Sequence, residues 1–174
     1  ERKRQRKARD KGRHVGIGVA FELMPEGGVI PGVGGGFDSA TVRINPSGQV
    51  TVLTGVTTPG GGNDTALAQI VADELGVAIA DVDVVQGDTD VCPFGFGNGT
   101  GRSVVTGGSA AALAARDLRN RLLVVAGAML ESEVDDLTVA ACFVNVTGTT
   151  EKVLSLGVVL TSLGMATTPF VTEP

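Results

Sequence analysis

The residues best placed to do chemistry in this chain are backbone amides, gathered in two glycine-rich loops that each run into a helical pattern. The first loop is Pro59-Gly60-Gly61-Gly62-Asn63-Asp64-Thr65, and beyond it Leu67, Ile70, Val71 and Leu75 recur at helical spacing. Asn63 or Asp64 is expected to cap that helix with a side-chain oxygen, and Gly76 stands where a left-handed C-cap residue is wanted. A glycine loop entering a helix collects unpaired N–H groups at the positive end of the dipole, which suits an anion such as a phosphate. A plain tight turn between a strand and a helix accounts for the same residues equally well. The second loop, Pro93 to Gly108, precedes a helix expected from Ser109 to Glu131, with Ala111, Leu118, Leu122, Val125 and Met129 on one face. Arg102 offers a fixed positive charge there, and Thr100 and Ser103 offer hydroxyls. Two such loops together point to one anionic ligand lying along backbone amides.

Other chemistries find little support. The single histidine, His14, sits among basic residues at the entrance to an expected strand, so no Ser/His/Asp set can be built and no Gly-x-Ser-x-Gly elbow occurs. Cys92 and Cys142 lie far apart without metal-ligand spacing, and read as buried free thiols in a reducing compartment. The GVGGG within Pro25 to Gly36 lacks a following Lys-Ser/Thr and a helix, so it fails as a phosphate loop. Glu74 belongs to a helix surface, and Asp88 and Asp90 to a turn. No catalytic residue and no metal ligand is assigned.

Charge is divided unevenly. Glu1 to Arg13 holds eight basic and two acidic residues, while the remainder holds six basic and seventeen acidic. Nucleic acid would meet an acidic body behind a short basic lead, and is not expected as a partner. No apolar run is long enough to span a membrane and no signal-peptide core follows the basic lead, so a cytoplasmic protein is expected. The absence of an initiator methionine points to a piece of a longer chain.

The elements that must position the loops follow in order. A solvated helix at Glu1–Lys11 leads to a strand at His14–Leu23 and then the glycine- and proline-rich loop Pro25–Gly36. Ser39–Ile44 and Gln49–Thr54 form a hairpin, its turn at Asn45, Pro46, Ser47 and Gly48 carrying type I residues. After the first loop and helix comes a strand at Asp81–Gln86, which ends before the second loop and its helix. Strands at Thr138–Val146 and Glu151–Leu154, joined by a turn at Thr147-Gly148, precede a short helix from Ser155 with Leu156, Val159, Leu160 and Leu163 apolar and Gly164 at its end.

The ordered series TVLTGVTTPGGGNDTALAQIVADELGV, VDVVQGDTDVCPFGFGNGTGRS and GGSAAALAARDLRNRLL resembles the molybdopterin-binding large subunit of the molybdenum hydroxylases. That family includes xanthine dehydrogenase, aldehyde oxidase and aerobic carbon monoxide dehydrogenase, and the resemblance extends over roughly Val15 to Leu163. It implies that both loops contact the molybdenum cofactor, in bacteria often as molybdopterin cytosine dinucleotide. The residues carried over are Gly60, Gly61, Gly62, Asn63 and Thr65 in the first loop, with Asn98, Gly99, Thr100, Gly101, Arg102 and Ser103 in the second. Gly61 stands where the family generally has Gln, Thr100 where it has Gly, and Gly101 where it has Ser. The resemblance also implies a full enzyme that hydroxylates an aldehyde, an N-heterocycle or a similar small substrate with water as oxygen source. Its catalytic glutamate, iron–sulfur clusters and FAD are expected on other segments or subunits. The expected partners are therefore the remainder of the large subunit and iron–sulfur and flavin subunits or domains. The alternative is a structural or assembly module that keeps the fold without the cofactor, which Gly61 favours. The expected fold is α+β, a mixed sheet with two main helices packed on one face. Its expected division is a lead-in at 1–37, a cofactor-binding core at 38–133, and return strands, short helix and linker at 134–174.

Overall fold

The computed structural model describes residues 1–21, 36–99, 101–149, 151 and 153–162. Helix α1 (Arg2–Arg9) is basic and buries no residue, as its lack of an apolar stripe predicts. The strand expected at His14–Leu23 does not form over 14–21. Among the described residues that stretch pairs with no strand, and Ile17, Val19 and Phe21 are exposed. Most of the Pro25–Gly36 loop, along with Leu163, Gly164 and the final linker, falls outside the described residues.

Strands β1 (Ala40–Ile44) and β2 (Val50–Thr54) form the expected hairpin, with Val42 opposite Val52 and Ile44 opposite Val50. Asn45 fixes the turn, its side-chain oxygen accepting from the Ser47 and Gln49 amides at 3.0 and 3.2 Å. Strand β3 (Val82–Gln86) lies parallel to β2, so the sheet is mixed in the order β1-β2-β3. The β2-to-β3 crossover is helix α2 (Asn63–Leu75). Leu67, Val71 and Leu75 are buried with Ala68 and Ala72, while Ile70 is half-buried. Gly76 caps α2 with φ 64°, and a Cβ there would lie 2.8 Å from the Val139 carbonyl oxygen, so glycine is needed for both conformation and space.

Helix α3 (Gly108–Leu130) begins after a π turn at Ser103–Gly107. It packs on α2 and on β1, and Ala111, Leu118 and Leu122 are buried as expected, whereas Val125 is half-buried and Met129 exposed. The core lies between the sheet and this helix pair, with Ala40, Val42, Ile44, Val50, Val52 and Val82 supplying its floor. The α+β architecture with two main helices on a mixed sheet is thus the one observed.

The last strands build a second, antiparallel sheet of β4 (Leu137–Ala140), β5 (Phe143–Val146) and β6 (Val153–Ser155), followed by α4 (Leu156–Ser162). The single strand expected at Thr138–Val146 is in fact a hairpin. Ala141 and Cys142 turn the chain with φ of 50° and 65°. Neither residue type signals such a turn; tertiary bonds hold it, from Cys142 N–H to the Gly76 carbonyl and from Leu156 N–H to the Cys142 carbonyl, each at 2.9 Å. Cys92 and Cys142 are free and half-buried rather than fully buried.

Candidate functional site

The first glycine loop leaves β2 through Gly55 and Val56 and reaches α2 through Gly60, Gly61 and Gly62, which are all exposed. Gly60 and Gly62 have φ of 96° and 75°, and a Cβ on either would meet nothing within 4 Å. Their glycine requirement is conformational, and the backbone stands open on that side. The N-cap of α2 is Gly62, and no side chain of its own caps the helix. Asn63 and Asp64 therefore do not act as expected. The Asp64 amide donates instead to the Thr58 hydroxyl at 3.1 Å, an upstream cap reached by folding the loop back on itself.

Asn63 has a different task. Its side-chain amide donates to the Thr57 carbonyl at 3.1 Å and to Asn98 Oδ1 at 3.2 Å. The Ser103 hydroxyl donates to the same Asn98 oxygen. Three of the residues singled out in sequence, one from the first loop and two from the second, are thereby drawn into one hydrogen-bonded cluster beside the helix start. Thr100 lies outside the described residues, and the side chain of Thr65 is exposed on the first turn of α2.

The second loop crosses directly over the exit of β2. A Cβ on Gly55 would lie 2.5 Å from Gly95 Cα, and one on Gly95 would lie 2.6 Å from Gly55 Cα, so both positions must be glycine for the two backbones to touch. Where the loop enters α3, a Cβ on Gly107 would come 2.3 Å from a Val56 methyl. The glycines of this region thus serve two purposes: Gly60 and Gly62 expose backbone, while Gly55, Gly95 and Gly107 bring segments together.

Arg102 is the largest departure from expectation in side-chain placement. It is 5% exposed and pairs with Asp38, itself 6% exposed, at 2.9 Å. Its guanidinium also donates to the Phe37 carbonyl at 2.9 Å and the Gly97 carbonyl at 3.2 Å, and lies 5.6 Å from the Phe96 ring centre. Asp38 Oδ1 accepts the Phe96 amide at 3.0 Å, and the Thr106 hydroxyl donates to Oδ2. The guanidinium faces inward and braces the loop from behind. Sequence reasoning missed Asp38, Thr58 and Thr106, because their partners are set by the tertiary path of the chain and no local spacing announces them.

An anionic cofactor fits this arrangement. The N–H groups of the first turn of α2 have no intrahelical acceptor by their position, and the dipole there is positive. The open glycine backbone admits close approach, with Asn63, Asn98 and Ser103 bordering it through their mutual bonds. Asp64, exposed in the same turn, adds a like charge that such an anion would face. Among the described residues, no cluster of three His, Cys, Asp or Glu side chains could hold a metal ion. No described helix is long and apolar enough to cross a membrane.

Comparison with known proteins gives this geometry a family. The molybdopterin cofactor-binding domain family matches residues 1–168. The chain is 38% identical over 148 residues to the 6-hydroxypseudooxynicotine dehydrogenase complex subunit gamma of Paenarthrobacter nicotinovorans, covering 85% of this chain and 18% of that protein. It is 40% identical over 129 residues to the carbon monoxide dehydrogenase large chain of Afipia carboxidovorans, covering 71% and 16%. Among solved structures, reconstituted CO dehydrogenase from Oligotropha carboxidovorans superposes with a TM-score of 0.71 at 33% identity, over 82% of this chain and 18% of that one. Quinoline 2-oxidoreductase from Pseudomonas putida 86 does so with a TM-score of 0.69 at 39% identity, over 74% and 16%. The chain therefore spans less than a fifth of the length of these relatives. With the matched fold, the two joined glycine loops and these relatives in agreement, the chain belongs to the molybdopterin cofactor-binding domain family of the molybdenum hydroxylases.

Proposed function

We infer that the chain is the cofactor-cradling segment of a molybdenum oxidoreductase large subunit, and that its two glycine loops hold molybdopterin in the cytosine dinucleotide form. The observation that carries this reading is the junction of the loops. Asn63 and Ser103 converge on Asn98 beside the open backbone of Gly60 to Gly62. Backbone amides at the start of α2 bind the phosphate part, and the hydrogen-bonded cluster orients the loops around it. Arg102 acts from behind, keeping the second loop in place, and Gly55 and Gly95 keep it close to β2. The bound group supplies the redox chemistry at its metal; this segment supplies binding and orientation only.

The whole enzyme oxidises an aldehyde, an N-heterocycle or a similar small molecule with water as oxygen source. Relatives named for quinoline and for a nicotine derivative favour the heterocycle. The remainder of the large subunit and iron–sulfur and flavin-bearing subunits or domains complete it, in the cytoplasm. A second reading, a module that keeps the fold without the ligand, draws on Gly61, where the family's glutamine is missing.

Gly60→Val tests the cradle. Its φ of 96° is one that a β-branched residue resists, so the first loop must rearrange while the core beneath it stays packed. Molybdenum content of the full-length subunit should fall several-fold. Unchanged content would mean that the open backbone of the first loop does not hold the cofactor.

A further inference from the structure

We propose that Asp38 is a positioning residue for the cofactor site, holding the second glycine loop in its binding form through Arg102. This rests on the proposed function above. Asp38 precedes β1 and lies outside both glycine loops, yet its described bonds all end on the second loop or its exit. Oδ1 accepts the Phe96 amide at 3.0 Å. Oδ2 meets Arg102 at 2.9 Å and accepts the Thr106 hydroxyl. Arg102 then returns two bonds, to the Phe37 carbonyl next to Asp38 and to the Gly97 carbonyl within the loop. The carboxylate thus fastens the loop at Phe96 in its first half, at Arg102 just before the π turn and at Thr106 within that turn. Asn98 and Ser103, which meet Asn63 of the first loop, lie within the span so fastened.

A buried ion pair can serve stability alone, and the two roles separate experimentally. Removing one partner leaves an uncompensated buried charge, which destabilises strongly, whereas replacing both by apolar residues of similar size is often neutral for stability. Apolar replacements cannot accept the Phe96 amide or donate to the Gly97 carbonyl, so they restore packing without restoring the tether.

The test uses the full-length subunit made in a host that synthesises the cofactor. It compares wild type, Asp38→Asn and the double variant Asp38→Leu/Arg102→Met. Asp38→Asn should lower both melting temperature and molybdenum content. The double variant should regain most of the melting temperature while its molybdenum content stays about tenfold below wild type. Amide exchange over residues 94–99 should be faster than wild type in both variants, with β2 and α2 still protected. A double variant that carries wild-type molybdenum, or an Asp38→Asn protein with wild-type content and loop exchange, would overturn the proposal. Should these variants fail to fold, Thr106→Val keeps the ion pair, removes the hydroxyl's bonds to Oδ2 and to the Arg102 carbonyl, and should still quicken exchange in the loop; no change in either exchange or content would again overturn it. A wild-type subunit that lacks molybdenum in the same host contradicts the proposed function instead, and the exchange comparison still reads the hold of Asp38 on the loop.

Discussion

On the proposed reading of the two loops, Gly61 is the residue at which the hold on the cofactor can be strengthened. A Cβ there meets only Asn63 Oδ1, at 3.8 Å, so a longer side chain has room. Gly61→Gln would add one neutral hydrogen bond to the cofactor, worth about 0.5–1.5 kcal/mol, or up to about tenfold in affinity. Slower loss of molybdenum on dialysis of the full-length subunit is the expected result, and faster loss would show that the added side chain obstructs the site. Gly95 is the opposite case, because any side chain there would strike the Gly55 backbone. Glu74 illustrates a charge that serves the fold. It bridges α2 to Arg116 and Arg119 of α3, and the hydrogen bond from Arg116 holds its carboxyl below the ordinary glutamate value despite partial burial. A carboxyl depressed in the folded state adds stability above its unfolded value, and that stability is lost as pH falls through the folded value. Glu74→Gln should therefore lower the melting temperature at neutral pH and flatten its decline on acidification. An acid profile parallel to wild type would show that the cross-helix pair contributes nothing.

At the level of elements, periodic signals were legible and long-range ones were not. Leu67, Val71 and Leu75 repeat at the helical period and Gly76 stops the pattern, so α2 could be read to its last residue. Asn45 to Gly48 announced the first hairpin through residues that favour the turn. The two glycine loops were legible as loops before helices, but their junction was not, since Asn63 and Asn98 are 35 positions apart. Arg102 was visible as a charge in a loop, while its engagement with Asp38 depends on how β1 is approached, which no spacing encodes. The β4–β5 hairpin was hidden for a related reason. Ala141 and Cys142 adopt left-handed backbone that costs such residues about 1–2 kcal/mol each. Ala141→Asn with Cys142→Gly relieves that cost, partly offset by the added freedom of glycine when unfolded, for a net gain of about 1 kcal/mol. Slower native-state amide exchange in β4 and β5 is expected, and faster exchange would mean that the Cys142 side chain contributes more than its backbone strain removes.

For the whole molecule, exposed apolar residues accompany the second glycine loop. Phe37, Phe94 and Phe96 form an aromatic group with ring centres 5.4 to 6.3 Å apart, and Phe94 is 66% exposed. Relatives more than four times the length of this chain have further protein with which to cover such surface. The segment taken alone should therefore bind an apolar dye and associate at micromolar concentration, and a dye-silent monomer in light scattering would contradict this. The central claim is that the joined loops cradle a molybdenum cofactor, and its most direct test is metal and nucleotide analysis of the full-length subunit from a host that makes the cofactor. The account predicts stoichiometric molybdenum together with CMP released by acid. A folded subunit containing neither would contradict it.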